Sequence, residues 1–98
     1  MKAFTITVQD PMGMHARWAT AVSSVASKYN NCEIKVVMKK NNLEANAKSI
    51  MSLLSLPIRK SDKITFKASG SDKEQDALSS IKEVLLKHGV ASQEELNL

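Results

Sequence analysis

The sequence predicts an α+β domain in which four antiparallel strands form one open sheet and three helices cover one of its faces. Two observations carry this prediction. Segments of alternating apolar and polar residues interleave with segments of helical period, in the order β-α-β-β-α-β-α. The chain has 98 residues, 43% hydrophobic and 24% charged, which suits one domain with one modest core. Amphipathic strands and helices must each cover a surface, and this arrangement satisfies both.

The first third of the chain changes from strand period to helix period. Residues 4–8 alternate between apolar side chains and threonines, which predicts a half-buried strand. Residues 10–13 read Asp-Pro-Met-Gly and predict a loop. From Ala16 the apolar residues fall on one helical face. We expect this helix to end at Asn30-Asn31, because asparagine tolerates left-handed backbone conformations.

The middle of the chain predicts two strands and a short helix. Residues 32–38 alternate as a second strand, and residues 43–45 form a short third strand after the polar turn 39–42. Asn46 is a candidate N-cap for a helix over residues 47–56, which Pro57 ends.

The last third predicts one strand, one long helix and a tail. Residues 64–68 alternate as a fourth strand, and residues 71–74 match a capping box at the start of an amphipathic helix. Gly89 stands where a helix C-terminal glycine is expected. We therefore divide the chain into a domain of residues 1–88 and a tail of residues 89–98, which either frays or forms one extra turn after Ser92.

Charge and composition exclude several classes of function. The net charge is +4, with lysines scattered along the chain and few aromatic residues, so we expect no nucleic-acid binding and favour acidic protein partners. No apolar run is long enough to span a bilayer, and the N-terminus lacks a signal-peptide core, which predicts a cytoplasmic protein without membrane insertion. Cys32 is the only cysteine, which excludes an internal disulfide and a cysteine-based metal cluster. We also expect no metal, no cofactor and a monomer.

His15 is the strongest functional candidate. It lies in the run Gly13-Met14-His15-Ala16-Arg17, where the predicted strand and loop give way to a helix. A helix N-terminus offers unpaired N–H groups and a positive dipole end, so it favours anions. A lone histidine in a small domain more often has no chemical role, but this context predicts a phosphoryl acceptor, with Arg17 close by.

The predicted short helix is apolar on more than one face. Its apolar residues are Ile50, Met51, Leu53, Leu54 and Leu56. A short helix cannot bury all of these against one sheet, so we expect an exposed apolar patch of the kind that marks a partner site. The alternative is a helix wholly buried in the core.

Two separated motifs resemble the HPr family, the histidine-containing phosphocarriers of the bacterial sugar phosphotransferase system. One is Gly13-Met14-His15-Ala16-Arg17, followed by Ala19-Thr20. The other is Lys48-Ser49-Ile50-Met51, followed by Leu54-Ser55-Leu56. The resemblance covers residues 1–88 and implies that family's open-faced β-sandwich.

The resemblance implies a mechanism. His15 would accept a phosphoryl group at Nδ1 from phosphorylated enzyme I, with Arg17 assisting, and pass it to the IIA domain of a sugar permease. Such a protein is a stoichiometric carrier rather than an enzyme. Ser49 matches a serine that an HPr kinase/phosphorylase modifies in many members, in connection with a carbon-catabolite transcription regulator. The resemblance also implies a partner interface, for which the candidates are Met14, Trp18, Thr20, Ala21, Lys48, Ile50, Met51 and Leu54.

The chain departs from the family pattern in places. Trp18 stands where the family has proline, and Pro57 and Ser61 stand where it commonly has glycines. We predict that Trp18 is an exposed anchor in the partner interface, the alternative being that it packs onto the short helix. Two other functions remain open. One is a regulatory HPr-like module that docks a transcription factor, although such modules usually lack the histidine. The other is a small basic nucleic-acid-binding domain.

Overall fold

A four-stranded antiparallel sheet organises the computed structural model, which describes residues 1–98. In chain order the elements are β1 (Lys2–Thr7), α1 (Ala16–Ala26), β2 (Glu33–Met38), β3 (Glu44–Asn46), α2 (Ile50–Leu54), β4 (Lys63–Ser69), α3 (Glu74–Lys87) and α4 (Gln93–Leu96). The strand order across the sheet is β1-β4-β2-β3. The predicted fold class is confirmed, with a short fourth helix in addition.

The two central strands place the core on one face of the sheet. Along β4, Ile64, Phe66 and Ala68 are fully buried while the residues between them are more exposed. Phe66 lies opposite Phe4 of β1, and the two rings stack with centroids 5.2 Å apart. The period-two alternation thus separates a buried face, covered by helices, from a partly solvated face.

The first helix ends earlier than predicted. Ala26 is the last residue of α1 and Ser27 is its C-cap, whereas Asn30 and Asn31 lie beyond it without a left-handed conformation. The backbone forms a turn after the helix, in which Tyr29 N–H donates to the Ala26 carbonyl three residues earlier, at 3.1 Å. The hydroxyl of Tyr29 then reaches α3, where it lies 2.7 Å from Ser80 Oγ.

The predicted starts of β3 and α2 are wrong by one and three residues. β3 covers Glu44–Asn46 rather than residues 43–45, so Asn46 belongs to the strand. Its side-chain oxygen accepts from Lys48 N–H at 2.9 Å and so forms a local turn before the helix. Ser49 is the N-cap of α2, and its Oγ accepts from Ser52 N–H at 3.1 Å.

The start of α3 also differs from the prediction. The proposed capping box is absent, because Ser71 Oγ accepts from Lys73 N–H at 3.0 Å, outside the helix. Lys73 is the N-cap and makes no side-chain capping bond. The Glu74 carboxylate lies 3.3 Å from the amino group of Met1 and therefore joins the helix start to the beginning of β1.

Residues 89–98 fold against the sheet. They form one helical turn, α4, capped by Ser92, so the extra turn is confirmed and fraying is not observed. Val90, Ala91 and Leu96 are buried in the same core cluster as the sheet. The Val90 carbonyl accepts from Gln9 N–H at 2.8 Å, and the Glu95 carboxylate accepts from Thr7 N–H at 2.9 Å. None of the helices combines the length and apolarity that crossing a bilayer requires.

Candidate functional site

His15 occupies the N-cap position of α1. Its backbone is extended, and its carbonyl accepts the first helical hydrogen bond, from Ala19 N–H at 3.1 Å. The amides of residues 16–18 therefore precede the first intrahelical bond and are free to bind an anion. The His15 side chain is 26% exposed, so a second protein can reach it.

Asp10 makes the closest polar contact with His15. One carboxylate oxygen, Oδ2, lies 2.9 Å from His15 Nε2, and this is the only hydrogen bond of the imidazole. The other oxygen, Oδ1, accepts from Met12 N–H at 2.9 Å, and the Asp10 carbonyl accepts from Gly13 N–H at 2.9 Å. The sequence predicts a loop at Asp10 but not its contact with His15.

The environment of Asp10 favours the ionised carboxylate. Burial alone would raise the pKa of the Asp10 carboxyl. The hydrogen bonds from the Met12 amide and His15, together with the charge of Arg17, outweigh this effect and hold the pKa below its ordinary value. A carboxylate in this state can only accept hydrogen bonds.

Gly13 allows the loop before His15 to pack tightly against the segment after α2. Its φ is +68°, and a Cβ atom at this position would lie 2.2 Å from the Ile58 carbonyl oxygen. The same carbonyl accepts from Met14 N–H at 3.1 Å. Backbone hydrogen bonds therefore hold the two residues before His15: Gly13 N–H donates to Asp10 and Met14 N–H donates to Ile58.

Trp18 supports the loop from inside the protein. Its side chain is fully buried, and Nε1–H donates to the Gly13 carbonyl at 2.9 Å. The prediction of an exposed interface anchor is therefore wrong. One face of α1 carries Trp18, Val22 and Ala26 at four-residue spacing. All three belong to the core cluster that also contains Leu53 of α2.

The other candidates on α1 and just before it lie at or near the protein surface. Arg17 is exposed and makes no ion pair, so its guanidinium is free for a bound anion or a partner. Thr20 is exposed, and Met14 and Ala21 are half-buried. All four lie within two turns of His15 along the chain.

The second helix exposes an apolar surface. We define the α2 surface as Ile50, Met51 and Leu54, whose exposed fractions are 39%, 84% and 43%. Leu53 between them is fully buried. The prediction that this helix leaves part of its apolar side exposed is confirmed, and the alternative of a wholly buried helix is wrong.

Lys48 and Ser49 join the two helices. Lys48 Nζ donates to the Tyr29 carbonyl at 2.8 Å, and the Lys48 carbonyl accepts from Ser23 Oγ at 2.8 Å. Tyr29 follows the C-terminal end of α1, whereas His15 precedes its N-terminal end. The Lys48 ammonium is therefore separated from His15 by the length of α1, which has 11 residues and is about 16 Å long. Ser49 is half-buried at the start of α2, next to Ile50.

Comparison with known proteins gives the family. A family model described as the PTS HPr component phosphorylation site matches residues 2–87. The chain belongs to the HPr family. It is 46% identical over 90 residues to the phosphocarrier protein HPr of Mycoplasma pneumoniae, an alignment that covers 92% of this chain and 99% of that protein. HPr of Mycoplasma genitalium is 47% identical over the same shares of the two chains.

Solved structures agree with this assignment. A histidine-containing phosphocarrier protein of a mycoplasma superposes with a TM-score of 0.85 at 25% identity, over 93% of this chain and 99% of that one. HPr-C-His of Thermoanaerobacter tengcongensis superposes with a TM-score of 0.77 at 32% identity, over 94% and 100% of the two chains. The open sheet with helices on one face is the HPr fold, and the protein is a phosphocarrier of the phosphotransferase system.

Proposed function

We propose that His15 is the phosphoryl acceptor, receiving its group from phosphorylated enzyme I and passing it to the IIA domain of a sugar permease. The observation that carries the proposal is the position of His15 at the N-terminus of α1, with Nε2 bound by Asp10 and Nδ1 without a partner. A neutral imidazole nitrogen is nucleophilic near neutral pH, and its phosphoryl adduct is labile enough to be passed on.

The transfer can be written for the atoms of this site. The lone pair of His15 Nδ1 attacks phosphorus, an N–P bond forms, and the bond between phosphorus and the donor breaks with its electron pair remaining on the donor. The free amides of residues 16–18 would hydrogen-bond to the phosphoryl oxygens, and Arg17 would add positive charge beside them. Delivery to the IIA domain is the same step with His15 as the donor.

The α2 surface would dock both partners. Exposed apolar residues on a helix that packs against α1 favour contact with a second protein, and the net charge of +4 would speed the encounter with acidic partners. We place this reaction in the cytoplasm and treat the carrier as a monomer, as the sequence predicts.

A reconstituted transfer assay tests the acceptor. The protein is incubated with enzyme I, phosphoenolpyruvate and Mg²⁺, and acid-labile phosphate is located by mass spectrometry. Phosphate should appear on His15 and be absent from a His15→Ala variant, and Arg17→Ala should slow the transfer by tenfold or more, on the order of the loss of one charged hydrogen bond. Phosphate on His88, or none on a folded wild type, would exclude the proposal.

A matched pair of variants tests the docking surface. Ile50 of α2 is 39% exposed and Leu86 of α3 is 38% exposed, so a glutamate at either position adds the same charge at the same accessibility. Ile50→Glu should raise the KM for transfer from enzyme I, while Leu86→Glu should leave it near the wild-type value. Equal effects of the two substitutions would show that docking does not use α2.

We also propose that phosphorylation of Ser49 regulates this carrier, through an HPr kinase/phosphorylase and a carbon-catabolite transcription regulator. Ser49 borders the α2 surface, so a phosphate there would place negative charge where acidic partners dock. In an assay with kinase and ATP, Ser49→Ala should take up no phosphate, whereas Ser55→Ala at the other end of α2 should be modified normally. Undiminished labelling of Ser49→Ala would reject the assignment.

The alternative function is a regulatory module that docks a transcription factor and carries little phosphoryl flux. The retained His15 and its contact with Asp10 favour the carrier. The transfer assay separates the two, because a regulatory module would bind its partner without passing phosphate to a IIA domain.

A further inference from the structure

We propose that Asp10 is a positioning residue that holds the His15 imidazole in the tautomer with its proton on Nε2, which leaves the lone pair of Nδ1 directed at the incoming phosphorus. The proposal deepens the carrier function and rests on His15 being the acceptor. It follows from one side-chain contact, in which Asp10 Oδ2 lies 2.9 Å from His15 Nε2.

The contact can form in only one way when the carboxylate is ionised. Asp10 then has no proton to give, so the hydrogen between Oδ2 and Nε2 must belong to the histidine. A neutral imidazole carries a single ring proton, and once this is on Nε2 the other nitrogen is an unprotonated nucleophile. The hydrogen bond from the Met12 amide to Oδ1 keeps the carboxylate pointing at His15.

Asp10 also acts on charge during transfer. When Nδ1 gives its lone pair to phosphorus, the proton stays on Nε2 and the ring becomes cationic. The Asp10 carboxylate, already in contact with Nε2–H, offsets that charge without moving. The arrangement follows the general logic in which a carboxylate orients a histidine through one nitrogen while the other nitrogen reacts.

Replacement by asparagine reverses the contact with little change in shape. In Asp10→Asn the Met12 amide still requires an oxygen acceptor, so the amide oxygen stays at the Oδ1 position and the NH₂ group faces His15. Nε2 must then accept a hydrogen bond, which moves the ring proton to Nδ1 and blocks the nucleophile. Asp10→Ala removes the contact altogether and leaves the tautomer to the imidazole itself.

Asp62→Asn is the matched control. Asp62 resembles Asp10, because one carboxylate oxygen accepts from Arg59 N–H at 2.9 Å and the other contacts a basic group, Lys40 Nζ at 3.4 Å. It has no contact with a histidine. The same chemical change at Asp62 should therefore leave the His15 tautomer and the transfer rate at wild-type values.

Nitrogen NMR of the free protein reads the tautomer directly. Protonated and unprotonated ring nitrogens of a neutral imidazole have well-separated ¹⁵N shifts, and long-range couplings to the ring protons assign them. We expect protonated Nε2 in wild type and Asp62→Asn, and protonated Nδ1 in Asp10→Asn. Protonated Nδ1 in the wild type, or an unchanged tautomer in Asp10→Asn, would overturn the proposal.

Transfer rates from enzyme I give a second test. Asp10→Asn should transfer more slowly than wild type by about tenfold or more, and Asp10→Ala should lie between the two. A merely structural role predicts the reverse order, because alanine loses both hydrogen bonds of the carboxylate, whereas asparagine keeps the bond from Met12 and can still pair with His15. Alanine slower than asparagine would therefore refute tautomer control. A wild type that takes up no phosphate on His15 would refute the carrier function instead, and the NMR result would still decide the tautomer.

Discussion

Replacing Gly13 by alanine should destabilise the protein more than the same change at Gly89, although the two glycines have nearly the same φ angle. Their φ angles are +68° and +70°. An L-residue in this left-handed region costs about 1–2 kcal/mol, which both variants share. The surroundings differ, because a Cβ at Gly89 meets nothing within 4 Å, whereas a Cβ at Gly13 lies 2.2 Å from the Ile58 carbonyl oxygen and 2.8 Å from Arg59 Cα.

The added cost at Gly13 follows from what must move. Both obstructing atoms are backbone, so the loop has to shift as a whole. The shift weakens the bond from Met14 N–H to the Ile58 carbonyl, worth about 1 kcal/mol, and the bond from Trp18 Nε1–H to the Gly13 carbonyl. The indole N–H is buried and loses its only acceptor, which costs about 1–3 kcal/mol. Gly13→Ala should thus exceed Gly89→Ala by about 2–4 kcal/mol.

Urea unfolding followed by fluorescence of Trp18, the only tryptophan, measures the difference. In thermal unfolding the gap should be roughly 8 °C or more, since 1 kcal/mol shifts the Tm of a domain this size by about 4–8 °C. Equal losses in the two variants would show that the close approach of Gly13 to Ile58 carries no free energy, and the reasoning would fail.

Three further predictions concern other contacts. Trp18→Phe should lower stability by about 2–3 kcal/mol through the lost indole bond and the smaller ring, measured by far-UV circular dichroism; unchanged stability would contradict the contact. Leu96→Ala, at a fully buried position of α4, should lower the free energy of unfolding by about 2–3 kcal/mol. Leu98→Ala, at 49% exposure, should lower it by under about 0.5 kcal/mol, and similarly small losses in both variants would mean that α4 does not pack against the core. The hydrogen bond from the Arg59 amide lowers the pKa of the Asp62 carboxyl below its ordinary value of 3.8; burial opposes this effect and Lys40 adds to it. The carboxylate therefore stabilises the fold above pH 3.8, and this stabilisation is lost as the pH falls through the pKa of the folded state. Asp62→Asn should flatten the loss of stability in acid, and an unchanged acid profile would contradict this.

The strands and their faces were predictable because their signal is local. Residues 64–68 alternate strictly, and every apolar member is buried. The burial of Trp18 was also readable from the sequence, since Trp18, Val22 and Ala26 lie four residues apart on the face that the other apolar residues mark as buried. The wrong prediction came from treating Trp18 as an exposed interface anchor instead of as a member of that helix face.

The contact between Asp10 and His15 could not be predicted from spacing alone. It requires the turn in which Asp10 accepts from both Met12 and Gly13, and the positive φ of Gly13 that returns the chain toward the carboxylate. The Asp-Pro pair at the start of the loop is a signal for such a turn. The start of α2 was missed for a similar reason, because Asn46 uses its side chain to close a turn within three residues instead of capping the helix.

The packing of residues 89–98 beside β1 has a consequence for association with other chains. β1 lies at one side of the sheet, where outward-pointing amides could pair with a strand of another molecule. Thr7 and Gln9 direct their amides to Glu95 and Val90 of the same chain, so the part of this edge nearest the His15 loop is already occupied. A chain cut after His88 would open that edge and invite strand exchange or aggregation at the loop that carries the phosphoryl acceptor.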